Sequence, residues 1–179
     1  MSSLQKQFEK IYDQYINKIY RFIFLKVGSK EISEDLTTQV FIKGWKKFKE
    51  YSKEIKNPGA YLYQIAKTEI VDYYRKESKF KNISFEINQE IFNQIIDFNS
   101  SKIEEDLTLK REIELLKTAL DQLRDDYQNL IIWRYLDELS PKEIAEIIEK
   151  PEGTTRVMLF RALGELREKM EFLLEEGKL

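Results

Sequence analysis

Apolar residues recur at three- and four-residue intervals along most of this chain, which is the spacing of amphipathic helices. The spacing predicts seven helices, at residues 4–26, about 33–50, 58–79, 104–123, 125–137, 141–149 and 151–175. No run of alternating apolar and polar residues bounded by turn signals predicts a strand. We therefore expect an all-α fold, and six glycines and three prolines in 179 residues agree with long helices and few turns.

The stretch from residue 140 to residue 166 is the most informative part of the pattern. Ser140 and Glu143 have the spacing of a capping box, which predicts the start of a short helix. A second start signal follows at Pro151, and the longer helix after it carries three arginines. These are Arg156, Arg161 and Arg167. A short capped helix, a tight break and a basic helix are typical of a DNA-binding helix-turn-helix. The alternative is an ordinary helical hairpin within a bundle.

Composition narrows the choice of function. The chain has no cysteine and no histidine, so it lacks the commonest nucleophile–base pairs and transition-metal ligands. It contains no glycine-rich phosphate loop. We therefore expect a protein that is not an enzyme and needs no cofactor or metal. With no signal peptide and no apolar run of membrane-spanning length, we expect it to be cytoplasmic and away from membranes.

Charge and composition divide the chain into two predicted helical domains joined by a linker. Residues 1–80 hold 16 Lys and Arg against 10 Asp and Glu, whereas residues 106–179 hold 12 against 17. The boundaries are expected at 4–80 for the first domain, 81–105 for an acidic linker and 106–176 for the helix-turn-helix domain. A basic first half suits a polyanionic partner. The acidic second half counts against DNA binding there, although the local charge of its last helix matters more.

Three segments in this order carry a resemblance to a known family. They are Asp35–Trp45 (DLTTQVFIKGW), the pair Ala60–Lys67 (AYLYQIAK) and Ile70–Lys76 (IVDYYRK), and Pro151–Arg156 (PEGTTR) followed by Arg161-Ala162. The chain resembles the bacterial RNA polymerase sigma factors of the extracytoplasmic-function (ECF) type, in the sigma-70 family. The first segment is similar to the family's polymerase-binding helix, the second to its promoter-melting helix and the third to its upstream-element recognition helix.

The resemblance implies a transcription initiation factor. Such a protein binds core RNA polymerase, directs it to specific promoters and promotes promoter opening, holding the single-stranded non-template strand. It also implies that an anti-sigma factor is a candidate partner. The main alternative is a stand-alone helix-turn-helix transcriptional regulator, which leaves the Asp35–Trp45 segment and the basic third helix unexplained. A helical adaptor without a DNA role is a further alternative.

The resemblance assigns three sets of site residues. The expected polymerase-binding residues are Asp35, Gln39, Phe41 and Lys43. The expected minus-10 DNA-binding residues are Lys53, Lys56, Lys67, Thr68, Arg75 and Lys76. The expected minus-35 DNA-binding residues are Gly153, Thr154, Thr155, Arg156, Val157 and Arg161. The tyrosines of the third helix stand beside its cations, where rings could stack on exposed bases; for Tyr61 a core position is the more favoured interpretation.

The match departs from the family pattern at several positions. Val157-Met158 replaces the usual Ser-Arg pair, which removes a hydroxyl and a cation on or near the face expected to meet the minus-35 element. Thr68 stands where the family usually has Asn, and its side chain has a shorter reach. We therefore expect a divergent promoter preference.

Overall fold

The computed structural model describes residues 2–77, 92–93 and 107–177, and the regular structure within these ranges is helical throughout. The elements are α1 (Ser3–Val27), α2 (Lys30–Tyr51), α3 (Pro58–Glu77), α4 (Leu107–Asp121), α5 (Asp125–Ile131), a π-helical turn (Ile132–Leu136), α6 (Pro141–Ile148) and α7 (Glu152–Glu175). The all-α expectation is confirmed. The helix predicted at 125–137 is divided, because its second half is wound as the π-helical turn. The predicted linker, 81–105, lies outside the described residues apart from Phe92 and Asn93.

The first three helices pack on one another as a bundle. Ser2 and Gln5 close a capping box at the start of α1, and Gly28 ends that helix with a φ of 74°, which a residue without a Cβ adopts at little cost. The side chain of Phe8 on α1 packs on Trp45 and Phe48 of α2, with ring centroids 5.1 and 5.5 Å apart. This packing holds α2 against α1, and α3 contacts both helices, so that the outer faces of α2 and α3 have a defined orientation.

The second half contains the predicted helix-turn-helix. The capping box of Ser140 and Glu143 is formed at the start of α6, as the sequence indicated. Helix α6 ends at Glu149, which adopts the left-handed conformation (φ 55°) although it is not glycine. The amide of Lys150 then donates to the carbonyl of Ala145 (3.0 Å), and Pro151 leads directly into α7. The break is therefore tight, and α7 is held against the rest of this domain by Leu159, Ala162 and Leu166.

The two halves of the chain share one hydrophobic core. Trp133, from the π-helical turn, packs between Phe22 of α1 and Tyr63 of α3, with ring centroids 5.6 and 6.0 Å apart. All three rings are almost completely buried. Helix α3 also contacts α6. We call this contact region, from Phe22, Tyr63 and Trp133 outwards, the interdomain junction. The helix-turn-helix domain is thus docked on the first bundle.

Candidate nucleic-acid and polymerase interfaces

The outer face of α7 is an exposed surface at the start of a helix. Gly153, Thr154, Arg156, Val157 and Arg161 are all exposed. The guanidinium of Arg156 is paired with Glu152 one turn earlier (2.6 Å). No ion pair is described for Arg161, so its charge is available at the surface. A helix in this position of a helix-turn-helix lies in the major groove of DNA.

Two residues of α7 are placed differently from expectation. Thr155 is completely buried, and its hydroxyl donates to the Pro151 carbonyl (3.1 Å). Thr155 therefore stabilises the first turn from the core side and does not present its side chain to DNA. Met158 is half-buried and lines the cleft between α7 and α3, so only Val157 of the Val157-Met158 pair lies on the outer face.

Phe160 is an exposed apolar residue on α7. It is 76% exposed, and Val157, one turn earlier, is 49% exposed. The buried repeat runs through Leu159, Ala162 and Leu166, and Phe160 falls outside that i, i+3, i+7 series. That offset is the signal in the sequence that could have identified it. An apolar pair therefore stands on the outer face beside Arg161.

The cations predicted for the minus-10 element lie at three places along α3. Lys53 and Lys56 are exposed in the turn before α3, whereas Arg75 and Lys76 are exposed at its last turn, about 26 Å away at 1.5 Å per residue. Lys67 and Thr68 lie between them. The structure thus spreads the predicted residues over the turn before α3, its middle and its last turn, and it does not gather them into one compact site.

The tyrosines of α3 do not form a row of open stacking platforms. Tyr63 is buried in the interdomain junction, and its hydroxyl donates to the carboxylate of Asp137 (2.7 Å). Tyr74 is half-buried, and its hydroxyl donates to the Lys26 carbonyl (2.5 Å). Tyr61 and Tyr73 are half-buried against the core. Tyr61 thus lies partly in the core, in line with the interpretation favoured from its spacing.

The polar stripe on α2 is presented to the surface as a group. Asp35, Gln39 and Lys43 are exposed on successive turns. Lys43 is also ion-paired with Glu69, a buried carboxylate of α3. Phe41 is buried: its ring packs edge-on against Tyr12 (centroids 4.8 Å apart), so that it supports the α2 surface from within.

An apolar pocket of about 490 Å³ opens beside this stripe, between α1 and α2. Phe8, Tyr12, Ile42 and Trp45 are among its lining residues, and Ile42 is 62% exposed. Neither Tyr12 nor Ile42 is among the polymerase-binding residues expected from the sequence. Exposed apolar area rimmed by polar residues is typical of a protein-binding surface.

Polar side chains surround the aromatic centre of the interdomain junction. Arg21 of α1 is ion-paired with Asp137 and also donates to the Leu136 carbonyl (3.0 Å). The ammonium group of Lys26 is almost completely buried and donates to Asp125 (2.9 Å) and to Gln128. These contacts join residues about a hundred positions apart, and periodicity of either segment alone could not have predicted them.

Helix α3 adds two further contacts across the junction. The side-chain amide of Gln64 donates to the carbonyls of Glu146 (3.2 Å) and Ile147 (3.1 Å), at the C-terminal end of α6. Lys67 is ion-paired with Asp126 at 3.2 Å. The face of α3 that carries Gln64 and Lys67 is therefore turned toward the second half of the chain.

Burial changes the protonation equilibria of the junction. Burial raises the pKa of the Tyr63 phenol far above its usual value, and the adjacent Asp137 carboxylate adds to the rise. Burial also raises the pKa of Asp137, although the Arg21 guanidinium opposes this rise. Burial lowers the pKa of Lys26, against the opposing effect of Asp125. Tyr63 is therefore a neutral hydrogen-bond donor to Asp137 at neutral pH.

None of the helices described here is both long enough and apolar enough to cross a membrane. Within the described ranges, no group of three or more carboxylates has the arrangement of a metal site.

Comparison with known proteins identifies the family. Two family models match the chain in order: sigma-70 region 2 over residues 11–80, and sigma-70 region 4 over residues 113–166. One curated relative is the ECF RNA polymerase sigma factor SigM of Bacillus subtilis (strain 168), 28% identical over 159 residues that span 89% of this chain and 92% of the relative. Another, the RNA polymerase sigma factor YlaC of the same organism, is 28% identical over 174 residues, or 96% of each chain.

A solved structure shares the fold. It is the sigma factor RpoE in complex with the anti-sigma factor NepR from Bartonella quintana, with a TM-score of 0.61 and 20% identity over 93% of this chain and 98% of that one. The first of the two matched regions spans α1–α3, apart from the first turns of α1, and the second spans the helix-turn-helix domain, from α4 into α7. The chain therefore belongs to the sigma-70 family, as an RNA polymerase sigma factor of the ECF type.

Proposed function

We propose that this protein is a transcription initiation factor that binds core RNA polymerase, directs it to specific promoters and promotes promoter opening. The observation that carries the proposal is the order of two sigma-70 regions on one chain, the second ending in an exposed recognition helix. This is a binding function, in keeping with the initiation-factor role of sigma factors. The stand-alone regulator is not favoured, because it gives the region 2 match no role.

We assign the binding of core polymerase to the α2 surface. Asp35, Gln39 and Lys43 supply polar contacts on successive turns, and the neighbouring pocket at Tyr12 and Ile42 supplies apolar area. A polar stripe beside an apolar centre is the usual composition of a specific protein interface. Phe41 acts indirectly, by holding α2 in place.

The minus-10 element is assigned to α3 and the turn before it. The cations Lys53, Lys56, Lys67, Arg75 and Lys76 follow the length of the helix, and positive charge along a groove is what binds the backbone of a single strand. Thr68 supplies a hydroxyl on the same face as Arg75, seven residues apart along the helix. Opening of the duplex is favoured when the separated strand gains these contacts.

The minus-35 element is assigned to α7. Arg156 and Arg161 supply cations for phosphates or for guanine edges, and Thr154 and the backbone at Gly153 lie at the helix N-terminus, where phosphate binding is favoured. Val157 and Phe160 supply apolar contact for the 5-methyl group of thymine. The departure from the family's Ser-Arg pair is thus expected to shift upstream preference toward thymine.

The proposal is tested by mixing the purified protein with core RNA polymerase, separating the mixture by gel filtration, and transcribing a random promoter library with the complex. We expect co-elution and enrichment of two-box promoters. Lack of co-elution together with tight duplex binding by the free protein would favour the stand-alone regulator. The solved relative is bound to an anti-sigma factor, and we extend the proposal to an anti-sigma partner for this chain, to be sought by affinity capture with wild-type protein as bait.

A further inference from the structure

A polar cleft of about 490 Å³ lies between α3 and the second half of the chain. Gln64, Lys67 and Thr68 line it from α3, and Asn129 and Trp133 line it from the opposite side. Its volume falls within the range of small-molecule sites in proteins, about 300–1,000 Å³. The proposed function assigns Lys67 and Thr68 to DNA but gives the inner surface of the cleft no role.

Two buried polar atoms at this inner surface have no hydrogen-bond partner among the described residues. They are the side-chain oxygen of Asn129 and the indole N–H of Trp133, in residues that are 2% and 1% exposed. Buried polar groups are nearly always hydrogen-bonded, because an unpaired one loses its bond to water without compensation. One acceptor and one donor without partners thus stand about one helical turn apart.

The orientation of the Asn129 amide is set by a neighbouring ion pair. Its nitrogen donates to one carboxylate oxygen of Asp125 (3.1 Å), and the other oxygen accepts from the buried ammonium of Lys26 (2.9 Å). The amide oxygen is therefore the atom left without a partner. The ring of Trp133 is held by the aromatic packing of the interdomain junction. The acceptor and the donor are thus prearranged, as are the few polar groups that orient a ligand in a pocket.

The remaining lining of the cleft combines apolar walls with balanced charge. Apolar surface comes from Leu130, Ile148 and Met158, among others. The charged residues described there are two cations and two carboxylates: Lys67, Lys150, Asp126 and Glu149. Because these formal charges cancel, the lining suits a flat ligand that carries no net charge.

We propose that this cleft binds a free nucleoside through the hydrogen-bonding edge of its base. A nucleobase is flat and uncharged, and it places a donor beside an acceptor on one edge. Its donor bonds to the Asn129 oxygen and its acceptor to the Trp133 indole N–H, while the ring packs against Ile148 and Met158. Both polar atoms are covered in the structure, so the base reaches them after the long side chains of Lys67 and Met158 move aside.

A base within a DNA strand offers the same edge, but its phosphates are repelled at this cleft. Asp126 is 62% exposed at the lining, and the nearby C-terminal end of α6 adds the negative end of a helix dipole. A free nucleoside has no phosphate and meets no such repulsion. Because it contacts both halves of the chain, it stabilises their packing by mass action. Any consequence for transcription rests on the proposed function, whereas the binding itself does not.

The test uses the full chain without polymerase. Adenosine, guanosine, cytidine and uridine are each titrated into the protein by isothermal titration calorimetry, and the indole N–H resonances are followed by proton–nitrogen NMR. Trp45→Phe identifies which of the two indole resonances belongs to Trp133. We expect at least one nucleoside to bind with a Kd below about 1 mM. The Trp133 indole proton should then shift downfield, because it donates a new hydrogen bond.

A pair of threonine variants tests the location of binding without changing the core. Thr68→Phe places a ring at an exposed position of the cleft, and we expect it to weaken binding about tenfold or more. The matched control is Thr38→Phe on α2, outside the cleft. Thr38 is also exposed, and its hydroxyl donates to the carbonyl four residues earlier, as that of Thr68 does. The control should change the affinity less than about twofold.

A second pair tests the acceptor itself. Asn129→Leu removes the amide oxygen at similar volume and should weaken binding about tenfold. Asn17→Leu makes the same chemical change at an exposed position on α1 and should leave binding unchanged. Circular dichroism shows whether each variant is folded. If Asn129→Leu does not fold, the threonine pair and the Trp133 resonance decide the question.

Three results would each overturn the proposal: no binding of any of the four nucleosides at about 1 mM, equal weakening by Thr68→Phe and Thr38→Phe, or an unmoved Trp133 indole resonance at saturation. A shift caused by oligodeoxythymidylate but by none of the nucleosides would mean that the cleft takes a base from a strand, and the proposal of a free ligand would be wrong.

Transcription with core polymerase separates these outcomes from failure of the proposed function. If wild type directs promoter-specific transcription but binds no nucleoside, the sigma function stands and the nucleoside site is wrong. If wild type binds a nucleoside but directs no transcription, the site stands and the proposed function fails.

Discussion

Replacing Tyr63 with Phe tests the energetics of the interdomain junction by removing a single hydroxyl. The ring of Tyr63 is 1% exposed and packs between Phe22 and Trp133, so Phe fills almost the same volume. The lost hydroxyl donates to a buried carboxylate, Asp137, at 2.7 Å. Hydrogen bonds to charged groups contribute about 1.5–3 kcal/mol. Because Arg21 still neutralises Asp137, we expect a loss near the middle of that range, about 2 kcal/mol.

The assay is urea unfolding at pH 7, followed by the fluorescence of Trp133 in a Trp45→Phe background. The midpoint should fall with little change in slope, and the melting temperature should fall by about 4–8 °C, at roughly 2–4 °C per kcal/mol for a chain of this size. The control is Tyr12→Phe, the same chemical change at a ring that is 43% exposed and has no described hydrogen bond. It should cost less than about 0.5 kcal/mol. A Tyr63→Phe loss no larger than the control would show that the hydroxyl does not stabilise the junction.

Three further predictions concern protonation, helix propensity and DNA contact. The folded pKa of Tyr63 lies above the unfolded value of about 10, so the native state keeps a proton that the unfolded state releases, and the stability from this group is complete below about pH 10 and is lost as the pH rises. Above about pH 10, the unfolding free energy of wild type should therefore fall by about 1.4 kcal/mol per pH unit more than that of Tyr63→Phe. Parallel pH profiles of the two proteins would contradict this prediction. Gly164 lies inside α7 with open space where a Cβ would stand, so Gly164→Ala should raise the unfolding free energy by about 0.5–1 kcal/mol, and a decrease would mean that the position is packed. Arg161→Ala should weaken binding of the holoenzyme to promoter DNA and lower the slope of log affinity against log salt concentration by about one, whereas Arg167→Ala, later on α7, should change this slope less. Equal slopes for the two variants would show that Arg161 does not contact DNA.

Local signals in the sequence were sufficient to predict the helices and the outline of the site. The capping box at Ser140 and Glu143, the proline before α7 and the three- and four-residue spacing specify helix starts and buried faces through interactions within one or two turns. For this reason the helix-turn-helix is where the pattern placed it. The exposed stripe of Asp35, Gln39 and Lys43 is likewise a property of one helix.

Periodicity was less reliable where a side chain could serve either the core or the surface. Thr155 of α7 was expected to contact DNA but is buried, whereas the aromatic Phe160 on the same helix is exposed. The reason is geometric, because the buried face of α7 is set by the direction from which α4 and α5 pack against it. A helical repeat gives the width of an apolar face, but the exact edge of that face depends on the neighbouring elements.

The contacts of the interdomain junction could be seen only in the tertiary structure. Arg21, Lys26 and Asp137 look like ordinary surface residues in the sequence, and Lys26 and Asp137 become buried only because segments about a hundred residues apart come together. The sequence by itself determined the helices, the order of the two sigma-70 regions and the opposite charges of the two halves. Only the tertiary structure decided that these halves pack on each other with Trp133 between them, because pairing of distant groups depends on how whole helices pack and not on the local spacing of residues.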